Sequence, residues 1–77
     1  MPKIKPFAPH KIIKVLEKAG FKVVRKKGSH VIMINDKGTR IVVPVHPGKD
    51  VQPGLVRAII KETALSKEDF LKLLKKV

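Results

Sequence analysis

The stretch Arg25-Lys26-Lys27-Gly28-Ser29-His30 places three cations and a histidine around a Gly-Ser pair. That set of side chains suits one reaction that needs little else. RNA carries its own nucleophile, because a 2′-hydroxyl attacks the adjacent phosphate once a base takes its proton. Imidazole titrates near pH ~6.5, so it can accept and return a proton at neutral pH. Lysine and arginine stabilise the negative charge that builds on the phosphate oxygens in the transition state. His30 is the candidate acid–base group, with Lys22, Arg25, Lys26, Lys27 and Arg40 as candidates for holding phosphate. DNA lacks the 2′-hydroxyl and would resist this route. The plainer reading of His30 is a solvated polar residue at the start of a strand.

Other chemistries find less support. There is no cysteine, so thiolate catalysis, thiolate zinc sites and disulfides are excluded together. No Gly-rich phosphate loop, paired-carboxylate pattern or Ser-His-Asp spacing is present. The histidines at 10, 30 and 46 lack a metal-ligand spacing, so neither a metal nor another cofactor is expected. His46, in Val-Pro-Val-His-Pro-Gly, has two readings. The favoured one is a loop-fixing residue that hydrogen-bonds the backbone, and the other is a second acid–base partner for His30.

These groups must be positioned by a chain of 77 residues, which fits one domain over 1–77. A domain of this size buries only roughly 60–65% of its unfolded surface. An open surface that recruits a large substrate therefore suits it better than a deep pocket. Eighteen Lys and Arg against six Asp and Glu give a net charge of +12, spread along the chain. Such a field attracts polyanions, nucleic acid foremost. The chain has three Phe and no Trp or Tyr, so the aromatic platforms of many single-strand RNA binders are missing. No apolar run reaches the ~20 residues that span a bilayer and no signal-peptide pattern is present; the cytoplasm is the expected compartment.

The elements follow from periodicity. Residues 1–8, with Pro2 and Pro6, read as a flexible N-terminal arm. Pro9 suits a helix first turn, and Ile12, Ile13, Leu16 and Ala19 form an apolar stripe that ends at Gly20. Three β-rich runs follow, at 21–25, 29–35 and 39–45. Lys26-Lys27-Gly28 and Asp36-Lys37-Gly38 read as three-residue hairpin loops with glycine in the bulge position. The second hairpin then pairs Met33 with Ile41 and Val31 with Val43. The first pairs Arg25 with Ser29, Val23 with Val31 and Phe21 with Met33. Phe21, Val23, Val31, Met33, Ile41 and Val43 share a core face. Lys22, Val24, His30, Ile32, Ile34, Arg40 and Val42 share the other. A Pro-rich loop over 44–54 leads to a helix at 53–62, buried through Leu55, Val56, Ile59 and Ile60. Ser66 opens a capped final helix at 67–76. The expected class is α+β: a three-stranded antiparallel sheet with helices packed on one face.

On the outer face, Val24, Ile32, Ile34 and Val42 would leave an apolar patch on a very basic protein. Such patches mark interaction surfaces. A protein partner or a second copy is expected to cover it, and a partner that neutralises the field would be acidic.

The runs LEKAGFKVVRKKGSHVIM and VPVHPGKDVQPGLVRAIIKETALSKEDF resemble the HicA toxins, also called the YcfA-like family. AGF, R-x-x-GSH, VPxH and PG-x-x-R-x-I-x-K are specific in combination. The resemblance implies a double-stranded-RNA-binding-domain-like fold and an mRNA interferase that cleaves RNA without a metal. It implies a HicB antitoxin that covers the active surface. It places the catalytic role on the GSH histidine, His30, with Gly28 and Ser29 completing the motif and Ser29 joining the phosphate-binding candidates. The role of His46, the VPxH histidine, is not carried over. PFAPHK lacks the polar cap associated with the family at the start of helix 1. The lysine-rich helix start of true duplex-RNA binders is also absent, so duplex binding is not implied. The expected function is therefore a toxin endoribonuclease acting on mRNA. A non-catalytic RNA-binding module is the alternative, followed by a DNA-binding or ribosome-associated protein.

Overall fold

A computed structural model describes residues 4–77. The order is α1 (Pro9–Lys18), β1 (Lys22–Lys27), β2 (His30–Ile34), β3 (Arg40–Pro44), α2 (Pro53–Thr63) and α3 (Lys67–Lys76). The strands form one antiparallel sheet in the order β1-β2-β3. This is the α+β arrangement expected from the sequence.

Local chemistry sets the helix ends. Pro9 occupies the first turn of α1, and Ala8 at the N-cap offers no side-chain bond. Gly20, at φ +97°, donates to the Glu17 carbonyl at 3.2 Å, and Phe21 donates to the Leu16 carbonyl at 2.9 Å. These two bonds are the Schellman closure, with buried Phe21 and Leu16 as its apolar pair. Ser66 Oγ accepts from the Asp69 N–H at 3.1 Å and caps α3.

α1 and α2 pack on β3, and all three helices enclose the core with β2 and β3. In α1 the buried stripe runs through Ile12, Val15 and Leu16, so Val15 holds the central place and Ile13 is half-buried at its margin. Leu55, expected inside, is 38% exposed, because α2 turns Val56, Ile59 and Ile60 toward the sheet. The reading of residues 1–8 as a flexible arm needs correction from Ile4 onward. Ile4 is buried in the core, and Phe7 exchanges two main-chain bonds with Val51, at 3.1 and 2.7 Å. A core this small recruits the extra apolar side chain. Residues 1–3 of that stretch lie outside the described residues.

Two registers behave differently. The β2–β3 hairpin pairs Val31 with Val43 and Met33 with Ile41 as expected, across the Asp36-Lys37-Gly38 loop. Asn35 holds that loop, its Oδ1 accepting from the N–H groups of Lys37 and Thr39 at 3.0 and 2.8 Å. The β1–β2 hairpin differs from the expectation by three residues next to the turn and by two beyond the bulge. Its turn is the pair Gly28-Ser29, so Lys27 faces His30, Lys26 faces Val31, Arg25 faces Ile32 and Val23 faces Met33. The register shifts between Val23 and Arg25, leaving Val24 as the extra residue of a β-bulge. Val23 shares the Met33 side of the sheet but is 39% exposed, because β1 lies beyond the helices.

Ala64 closes α2 in the left-handed conformation at φ +62°, the one non-glycine residue with positive φ among those described. That region costs an L-residue roughly 1–2 kcal/mol. Ala64→Gly is therefore expected to stabilise the fold by about 1 kcal/mol, a rise in Tm of roughly 4–8 °C for a domain of this size. Thermal circular dichroism measures it; an unchanged or lower Tm would show that Ala64 carries no strain.

Candidate nucleic-acid interface and active site

Residues directly opposite in an antiparallel ladder point to the same face. The outer face therefore carries three cross-strand rows: Lys27–His30–Pro44, Arg25–Ile32–Val42 and Lys22–Ile34–Arg40. The core face carries Lys26–Val31–Val43 and Val23–Met33–Ile41. His30 is exposed at the start of the central strand. Lys27 stands directly across from it, and Arg25 is its diagonal neighbour on the same strand pair. Diagonal neighbours lie ~7–8 Å apart, within reach of long side chains.

The bulge produces this cluster. Phe21 is buried on the core side and Lys27 shares the His30 side, yet the two are six residues apart. In a regular strand an even separation keeps side chains on one face. The extra residue at Val24 reverses the alternation, so Arg25 and Lys27 both reach the outer face. The sequence offers two compatible turns, because either one uses Gly28 at positive φ. Gly28 has φ +58° and Ser29 has a negative φ, the pattern of a two-residue type II′ turn.

The phosphate-binding candidates separate accordingly. Lys27 and Arg25 lie beside His30. Lys22 and Arg40 share the outer face four residues along the strand, roughly 13 Å away at ~3.3 Å per residue. They extend a basic track and do not join the His30 cluster. Lys26 falls on the opposite side, in the Val31 row. Ser29 is half-buried in the turn, and its carbonyl accepts the Val45 N–H at 2.6 Å, tying the end of β3 to the turn. The three strands contain five cations and no acid. Part of that charge also guards the open edge of β1 against pairing with another chain.

His46 sits two residues beyond Pro44 and is exposed. The loop around it is held by main chain: the His46 carbonyl accepts the Lys49 N–H at 3.1 Å across Pro47-Gly48. His46, Lys49, Gln52, Val51 and Leu55 line a cleft together with Pro44, the cross-strand partner of His30. The sequence reading missed this cleft; an exposed Leu55 is visible only once α2 is docked. His10 is exposed on α1, remote in sequence from the strands. Among the described residues no group of three or more His, Asp or Glu converges to hold a metal ion.

The apolar patch is smaller than expected. Val24 and Val42 are 57% and 40% exposed and Ile34 is half-buried, but Ile32 is only 9% exposed. Ile32 occupies the middle strand with Arg25 and Val42 on either side, and these longer or branched neighbours screen it.

The family described as the HicA toxin of bacterial toxin-antitoxin matches residues 9–65 of the chain. The match spans α1, the sheet and α2, and so contains every group in the His30 cluster. No curated protein matches the chain.

A Cβ added at Gly28 meets nothing within 4 Å, so substitution there costs only backbone strain. Gly28→Ala is expected to destabilise by about 1–2 kcal/mol, read as a lower urea midpoint at unchanged slope. An unaltered midpoint would mean that the turn does not hold Gly28 at positive φ.

Proposed function

The chain belongs to the HicA toxin family of bacterial toxin–antitoxin systems, and from that premise we propose that it is a metal-independent endoribonuclease acting on mRNA in the cytoplasm. The observation that carries this reading is the outer-face row Lys27–His30 with Arg25 diagonal to it, on a sheet without acids.

In the proposed reaction His30 takes the proton of an RNA 2′-hydroxyl. The oxygen bonds to the adjacent phosphorus, the bond from phosphorus to the 5′-oxygen breaks, and the 5′-oxygen takes the proton back from the His30 imidazolium. The products are a 2′,3′-cyclic phosphate and a 5′-hydroxyl. Lys27 and Arg25 hold the phosphate oxygens as their charge rises, an effect that is largest for preorganised groups. Strand residues are better fixed than loop residues, which suits this task. Lys22 and Arg40 bind phosphates further along the strand. The reaction draws on nothing beyond side chains of the sheet and the substrate's own hydroxyl.

The antitoxin of the pair, a HicB-like protein, is proposed to cover the same face. Val42 and Val24 supply exposed apolar contact among cations, so the complementary surface is acidic around an apolar centre.

Cleavage of single-stranded RNA should persist in EDTA and fall at least ~100-fold in His30→Ala with RNA binding retained. Lys27→Ala should cost roughly 10- to 100-fold, whereas Lys26→Ala, one residue away on the other side, should cost little. Binding by the wild type and His30→Ala without cleavage by either would identify a non-catalytic RNA-binding module. Equal loss in Lys26→Ala and Lys27→Ala would reduce the role of both to general field. For the partner surface, Val42→Asp should weaken antitoxin binding about tenfold or more while leaving the Tm within a few degrees; unchanged affinity would place the antitoxin elsewhere.

A further inference from the structure

The cleft beside Pro44 has no part in the proton transfer above, yet it is continuous with the His30 row. The residue that faces His30 in the ladder is also one of its walls. The cleft is open to solvent, with a volume of roughly 680 Å³. Val51 and Leu55 add an apolar floor, and His46, Lys49, Asp50 and Gln52 form a polar rim, in which Asp50 is the one acid.

Its walls are preorganised by main-chain bonds. Val45 N–H reaches the Ser29 carbonyl at 2.6 Å, Lys49 N–H reaches the His46 carbonyl at 3.1 Å, and Val51 pairs in both directions with Phe7. A ligand entering the cleft would not have to order the loop, which removes much of the usual cost of binding. Leu55 stays 38% exposed although its neighbour Val56 is fully buried.

A nucleobase fits this chemistry. It has flat apolar faces, a polar edge and a phosphate close by. Bases splayed out of single strands stack on planar side chains, histidine included. Two of the three phenylalanines, Phe21 and Phe70, are buried in the core. The planar ring exposed at this cleft is the His46 imidazole. Gln52 presents both donors and acceptors for a base edge. Among the described residues its amide donates one long bond, at 3.4 Å to the Asp50 carbonyl. Lys49 supplies a charge for a flanking phosphate.

We infer that this cleft is the subsite for the base adjoining the scissile phosphate of single-stranded RNA, with His46 stacking on the base and Gln52 reading its edge. The inference rests on the ribonuclease reading and assigns His46 a binding task, not a proton-transfer one. Duplex RNA is a poor ligand here because paired bases cannot leave their stack to enter the cleft.

The test uses the full chain with a 2′-O-methyl single-stranded hexanucleotide of mixed sequence, which cannot be cleaved, followed by amide chemical shifts and Kd. Cleavage of a longer natural RNA is mapped in parallel. Shifts are expected both at 27–30 and at 46–55. His46→Ala should weaken binding roughly tenfold, the worth of one stacked base, and His46→Phe should recover most of it with cleavage retained. Gln52→Ala should redistribute the cut sites. Leu55→Glu, which leaves the loop untouched, should weaken binding as much as His46→Ala does. Shifts confined to the sheet, with Kd unchanged in His46→Ala and Leu55→Glu, would overturn the subsite while leaving His30-dependent cleavage standing. Normal binding without cleavage in His46→Phe would make His46 a proton carrier and overturn the stacking role. Equal competition by duplex RNA would overturn the single-strand assignment. Neither binding nor cleavage by the wild type would remove the ribonuclease reading and this inference together.

Discussion

The geometry of the site depends on a mismatch at the two ends of β1. At its start, Phe21 must enter the core, because the Schellman closure of α1 delivers it there against Leu16. At its end, the Gly28-Ser29 turn puts Lys27 across from His30 on the opposite face. An unbroken strand cannot satisfy both demands over six residues. One extra residue, Val24, resolves the conflict, and the consequence is chemical: two cations are brought to the side of the sheet that holds the histidine.

The domain's size imposes a second division of labour. With so few apolar residues, helices can cover only one face of the sheet, and they cover β2 and β3 more fully than β1. The outer face and the β1 edge are left to water. Cations there blunt the edge against pairing with another chain, and the same cations give the surface a field that suits a polyanion. The acids lie on helices, turns and loops, at Glu17, Asp36, Asp50, Glu62, Glu68 and Asp69, away from the three strands. The field is therefore asymmetric, although the composition alone shows only its total.

Much of this was legible in the residues. Pro9, Gly20 and Ser66 mark helix ends through backbone chemistry that acts within a few residues. The Asp36-Lys37-Gly38 loop was readable because Gly38 suits the bulge position of one turn and because Val31, Met33, Ile41 and Val43 agree with its register. The first hairpin was ambiguous for the opposite reason: a three-residue loop ending at Gly28 and a two-residue turn starting there use the same glycine, and β1 has too few buried positions to choose between them. Ile4 and Leu55 were misplaced because burial at a core margin depends on how neighbouring elements dock, not on local periodicity.

By itself, the sequence determined the α+β class, the order of elements, the strong positive charge, and the family through its GSH and VPxH motifs. These depend on short-range propensity and on hydrophobic period, which one chain reveals directly. Tertiary structure alone decided that Arg25 and Lys27, and not Lys26, share a face with His30, and that Pro44 links this row to a cleft lined by His46. Those relations join residues through cross-strand pairing and helix docking. A single bulge reverses which face each side chain takes, and no local pattern records where that extra residue is inserted.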